Sequence, residues 1–231
     1  MRIFVFCTNC GYICGVNYEC MSPFAAIGAV PFDLGVLASI FPEMKFISEK
    51  AGRLEAAGTI IRLKNGLYVA SPEETGRPLN RHLIANHIYG PSYVSLQTAL
   101  RHYGLIPEQV HLVQSLTTKH SRYFETPVGN YDFLNCSKEY FPIGVRMETE
   151  DEANYLIATP EKALCDLINF SKGVNLRFLK DVAIYLEKDI RFDMDSLSSF
   201  DSSILEACSL YSRKSGSINI LVKFLRNERY I

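Results

Sequence analysis

The chain has 231 residues, 48% hydrophobic and 21% charged, with a net charge of −1. That size and apolar content support a sizeable core and fit two domains better than one. The near-neutral balance excludes a histone-like basic protein and an acidic disordered tail. No run of about 18 apolar residues is present to span a bilayer, so the expectation is a soluble, cytoplasmic protein.

The first 20 residues, MRIFVFCTNCGYICGVNYEC, lack the sustained apolar stretch and small-residue cleavage site of a signal peptide. They hold Cys7, Cys10, Cys14 and Cys20, four soft ligands as a structural zinc needs. All four crowd into 14 residues, whereas familiar zinc modules separate their ligand pairs by about a dozen residues or more. No metal is therefore assigned, with these four thiols kept as the alternative, and residues 1–20 are read as an extension ahead of a start at Met21. Cys136, Cys165 and Cys208 lie in apolar patterns, as reduced core thiols do.

Residues 21–74 predict a winged helix-turn-helix. Leu34, Leu37, Ala38 and Phe41 share one stripe of a first helix that Pro42 ends. A second helix over Lys45–Ala57 is expected to bury Phe46, Ile47, Ala51 and Leu54 and to stop at Gly58. Ile60-Ile61-Arg62-Leu63 and Leu67-Tyr68-Val69 then form a hairpin through Lys64-Asn65-Gly66, read as a type I′ turn with two positive φ angles. In such a module the second helix enters the major groove and the wing meets phosphates. The DNA-binding candidates are therefore Lys45, Ser48, Lys50, Arg53, Arg62, Lys64 and Asn65. Between Phe32 and Ser71 five Lys and Arg stand against four Asp and Glu, a thin electrostatic footprint. A single copy is expected to bind weakly unless it forms a homodimer on a repeated site, and protein docking is the alternative use of the module.

Ser71–Pro78 is polar and turn-rich, which places a linker here and a second domain over 75–231. A helix over Leu79–Ile88 precedes one that Ser95 caps, carrying Leu96, Ala99, Leu100 and Tyr103 and ending at Gly104. Five short strands between Val110 and Ile157 predict a small, mainly antiparallel sheet. Thr159-Pro160-Glu161 opens a helix with a cap, a proline at the tolerated first position and an anion at the positive end of the dipole. Ala163, Leu164, Leu167 and Ile168 face its core side. Amphipathic helices over Leu176–Leu186, Ser203–Tyr211 and Ile218–Arg226 complete an α+β chain: a winged helix-turn-helix, then a mixed α/β domain with C-terminal helices.

Lys162 and Asp166 are four apart on one helical face, and are read as a solvated ion pair with partner binding as the alternative. The five histidines, His82, His87, His102, His111 and His120, form no H-E-x-x-H or H-x-H pair. Phosphate-cradling and nucleophile-elbow motifs are absent, and the one Glu-x-Lys, Glu43-Met44-Lys45, falls in the presumed reading head. No enzymatic activity and no cofactor are expected.

Three segments carry a resemblance: Gly66-Leu67-Tyr68; Tyr93-Val94-Ser95-Leu96-Gln97-Thr98-Ala99-Leu100 with Gly104-Leu105; and Ala158-Thr159-Pro160-Glu161-Lys162-Ala163-Leu164-Cys165-Asp166. Over roughly residues 32–170 the chain resembles the AbiEi family, the antitoxin and autorepressor half of bacterial type IV toxin-antitoxin (abortive infection) systems used in phage defence. The resemblance implies a winged helix that represses its own promoter. It also implies a C-terminal domain that counteracts a nucleotidyltransferase-type toxin, not necessarily by direct contact. Members often have Arg where Lys162 stands, and the Cys-rich first 20 residues have no counterpart.

Overall fold

The computed structural model describes residues 22–109 and 111–231, together with the backbone of two short antiparallel strands, Val5–Phe6 (β1) and Ile13–Cys14 (β2). The side chains of Cys7, Cys10, Cys14 and Cys20 lie outside the described residues, and so does the proposed start at Met21. The chain is α+β and divides into two compact units, Met1–Leu79 and Asn80–Ile231.

In the first unit, strand β3 (Phe32–Asp33) leads into helix α1 (Leu34–Ile40), which Asp33 caps by accepting from the Val36 amide at 3.0 Å. Helix α2 (Ile47–Ala56) and the hairpin β4 (Ile60–Lys64) and β5 (Leu67–Ala70) follow. β5 is central, pairing antiparallel with both β3 and β4. Phe24, Phe32, Leu37, Ala51, Ile60, Tyr68 and Ala70 form the core, with Leu34, Ile40, Phe41, Ile47 and Leu54 packed around it.

Three expectations are corrected here. Ala38 is exposed and Ile40 joins the stripe in its place, because two helical turns present only a narrow face to the sheet. α2 starts at Ile47, so Phe46 lies outside the period that buries Ile47, Ala51 and Leu54, and its ring is 68% exposed. At the hairpin only Gly66 takes a positive φ (74°), and the register shifts between Arg62 and Lys64. One left-handed glycine plus an extra strand residue makes a bulged hairpin, not the type I′ turn expected. Gly58 does end α2 with a positive φ of 75°.

The polar stretch read as a linker contains a helical turn, α3 (Pro72–Thr75), with proline at its start and Glu73 and Glu74 where the dipole favours anions. Ser22 Oγ donates to Glu74 Oε2 at 2.7 Å, tying this turn into the first unit.

The second unit is built on a six-stranded sheet. In chain order its strands are β6 (Ser92–Val94), β7 (Leu112–Thr117), β8 (Arg122–Thr126), β9 (Gly129–Asn135), β10 (Val145–Glu150) and β11 (Ala153–Ala158). In space the order is β10-β11-β6-β7-β9-β8. The β10–β11, β6–β7 and β8–β9 pairs are antiparallel, whereas β11–β6 and β7–β9 are parallel. The sheet is therefore more mixed than expected, because β8 passes to the edge and lets β9 insert beside β7. The short central β6, fully buried, is a strand that local patterning does not reveal.

Helices α4 (Arg81–Ile88) and α5 (Leu96–His102) pack on strands of this sheet. Helix α6 (Pro160–Phe170) then packs against α5 and against the C-terminal helices α8 (Ser202–Tyr211) and α9 (Ser215–Asn227). Between them, α7 (Leu179–Ile184) continues into a π-helical turn, Tyr185–Asp189, and a 3-10 turn spans Met194–Ser199. α6 begins as its sequence predicts, Thr159 capping the Lys162 amide and Pro160 at the first position. It is buried on every side from Glu161 to Asn169, so helices cover even the face expected to be polar. No helix among the described residues is long and apolar enough to cross a membrane.

Candidate functional site

Of the residues assigned to DNA reading, α2 exposes Lys45 just ahead of it and Ser48 and Arg53 along it, while Lys50 is half-buried with its ammonium 4.6 Å from the Phe41 ring centre. Arg53 faces Glu49 one turn away at 3.4 Å. On the hairpin, Asn65 and Arg62 are exposed and Lys64 is half-buried. Arg62 reaches back to α2, its Nε 2.9 Å and Nη2 2.5 Å from Glu55 Oε2, with its guanidinium 5.4 Å from the Tyr68 ring centre. Arg53 and Arg62 are thus each matched by a carboxylate of α2. Exposed pairs of this kind contribute little to stability and exchange readily.

The second unit holds a different arrangement at its centre. Lys162 Nζ lies 3.3 Å from Asp166 Oδ1, both side chains fully buried. The solvated pair expected from the sequence is corrected: sheet and helices enclose the helical face that periodicity alone leaves open. The ammonium also donates to the Tyr140 carbonyl at 3.0 Å and sits 3.0 Å from the Tyr140 ring centre. Asp166 accepts from three hydroxyls: Tyr140 at 2.6 Å, Ser95 at 2.6 Å and Tyr93 at 3.1 Å. Ser95, expected to cap α5, sends its hydroxyl to this carboxylate instead and makes no side-chain cap. Burial first, and then the Asp166 charge, hold the Tyr93 and Tyr140 phenols well above their usual range, so both remain proton donors.

Every polar atom of Asp166 is satisfied, which suits a rigid centre. It joins two segments singled out separately in the sequence, Tyr93–Leu100 and Ala158–Asp166. The surrounding thiols are not activated. Burial pushes Cys136 to about 11, and a hydrogen bond with Cys208, then burial, raises Cys165.

A third constellation escapes sequence reasoning. His82 in the first turn of α4, His102 at the end of α5 and Glu150 at the end of β10 bring a ring nitrogen each and a carboxylate oxygen within 4.8 Å of one another. The two imidazoles meet edge to face with centres 5.5 Å apart, and Tyr155 packs on His82 at 5.1 Å. Burial, reinforced by His102, lowers His82 to about 4. No spacing rule links these residues, because only the tertiary fold brings the end of β10 to His82 and His102.

No protein-family model matches the chain, and no curated protein matches it.

Proposed function

We propose that the first unit is a winged helix-turn-helix that binds duplex DNA, and that the chain acts as a transcriptional autorepressor and antitoxin opposing a nucleotidyltransferase-type toxin. The observation that supports this best is the element order. Helices α1 and α2 pack together and lead into the β4–β5 hairpin, β5 is flanked by β3, and the outer face of α2 exposes Ser48 and Arg53, with Lys45 exposed just ahead of it. In this reading α2 lies in the major groove and Arg62, Lys64 and Asn65 approach the backbone. The Arg53–Glu49 and Arg62–Glu55 pairs open so that phosphate replaces carboxylate. The antitoxin role rests on the AbiEi resemblance of the segments around Tyr68, Tyr93–Leu100 and Ala158–Asp166.

A gel shift on the chain's own upstream DNA against random duplex tests this reading. Specific retention that falls with rising salt and with Lys45→Ala, Arg53→Ala or Arg62→Ala is the expected result. Equal retention of both duplexes, or unchanged binding in all three variants, overturns it. Rescue from a co-expressed toxin tests the antitoxin half separately.

One observation favours a second reading, a protein-docking module. Phe46 exposes 68% of its surface at the start of α2 beside matched charges. An aromatic anchor among weakly charged neighbours is the composition of a protein interface. Loss of partner binding in Phe46→Ala with no DNA retention by the parent chain selects it.

A further inference from the structure

We propose that His82, His102 and Glu150 form a binding site for one divalent transition-metal ion of the zinc class, which fastens the β10–β11 turn to α4 and α5. This site lies wholly in the second unit and is independent of the DNA-binding proposal.

Two imidazoles and a carboxylate are a ligand set that zinc and its neighbours accept, leaving a position for water. Bonds of about 2.0–2.1 Å would hold the three ligand atoms roughly 3.3 Å apart in a tetrahedral site. They now lie within 4.8 Å, and His82 Nδ1 is 4.0 Å from Glu150 Oε2. Closing that gap is within the reach of Glu150, whose side chain is 46% exposed at a strand end.

A further observation points to a ligand. Both imidazoles are half-buried, and the carboxylate they face is already aimed: Asn80 Nδ2 and the Tyr155 hydroxyl each donate to Glu150 Oε2 at 3.1 Å. Such outer partners fix ligand orientation and commonly control affinity. Asn80 is itself fixed, since its Oδ1 caps α4 by accepting from the Leu83 amide at 2.9 Å.

The test uses the full-length chain, stripped with chelator and titrated with Co2+ and Zn2+ near neutral pH. A companion chain with Cys7, Cys10, Cys14 and Cys20 all changed to Ser separates thiol binding from this site. The expected result is one equivalent of Co2+ on the companion chain, with ligand-field absorption free of thiolate charge transfer. That uptake should be lost in His102→Gln and weakened roughly tenfold or more in Glu150→Gln and Tyr155→Phe. Zn2+ should raise the melting temperature of the companion chain and raise that of its Glu150→Gln derivative less. Glu150 is exposed, so its variant decides the matter even where His102→Gln does not fold. No uptake by the companion chain, or equal uptake with and without the His102 and Glu150 substitutions, overturns the proposal.

Discussion

Asp166 and Lys162, one helical turn apart on α6, are 3.3 Å from each other with no solvent exposure on either side chain. Removing the carboxylate strands a buried cation and three hydroxyls, those of Tyr93, Ser95 and Tyr140, whereas removing the ammonium leaves a carboxylate that still accepts three hydrogen bonds. Asp166→Ala should therefore cost about 3–5 kcal/mol and Lys162→Met clearly less. The double variant should lose less than the sum of the two. Urea unfolding of the four chains checks the ranking, and equal losses in the two single variants would contradict it.

Acidification should weaken the fold through His82. Its folded pKa lies near 4 and its ordinary value near 6.5, because burial and then His102 oppose the charge, with Arg81 adding to the effect and Glu150 working against it. Between those values the unfolded chain binds the proton and the folded one does not, so stability is complete above about pH 6.5 and falls toward pH 4. The loss through this residue is at most about 3.5 kcal/mol. In chelator-stripped protein, melting temperature against pH should fall less steeply over that window in His82→Gln than in the parent chain.

Lys214 acts as a C-terminal clasp. Its Nζ donates to the carbonyls of Ile168 at 3.0 Å and Ser171 at 2.7 Å, which the end of α6 leaves without helical partners, and to that of Val174 in the following loop at 2.8 Å. Lys214→Met keeps most of the stem and removes the donors. It should destabilise the chain by about 1–2 kcal/mol, somewhat below the usual value for hydrogen bonds to a charge because the site is partly open to water. Amide exchange should quicken over Leu167–Ser171 before the rest of α6.

On the first unit, Glu55 restrains the Arg62 guanidinium through three hydrogen bonds. If the hairpin contacts DNA, Glu55→Gln should tighten binding several-fold and steepen its salt dependence, since a released arginine can meet a phosphate. Fluorescence anisotropy on the upstream duplex at two salt concentrations measures both effects. Weaker binding in this variant would mean that the pair shapes the surface and does not compete with DNA.

Much of the architecture is legible in the local order of residues. Thr159-Pro160 starts α6, and Gly58 and Gly104 end their helices with positive φ angles. These features depend on a few neighbours along the chain, and the chemistry of caps and left-handed glycines acts within one turn. The outward positions of Ser48 and Arg53 on α2 are legible for the same reason, since helical periodicity alone places them opposite Ile47, Ala51 and Leu54.

What periodicity could not decide is which polar faces become covered. The Lys162–Asp166 face of α6 reads as solvent-facing until α8 and the loop carrying Tyr140 close over it, and Ser95 reads as a cap until Asp166 claims its hydroxyl. His82, His102 and Glu150 converge only because β11 lies beside β6 and carries β10 to the sheet edge near α4 and α5. The sequence alone determined the stops at Gly58 and Gly104, the start of α6 and the presence of the hairpin, all set by local sterics and hydrogen bonding. The buried ion pair and the histidine cluster were decided by tertiary structure, because strand order and helix packing set which distant side chains share a dry interior.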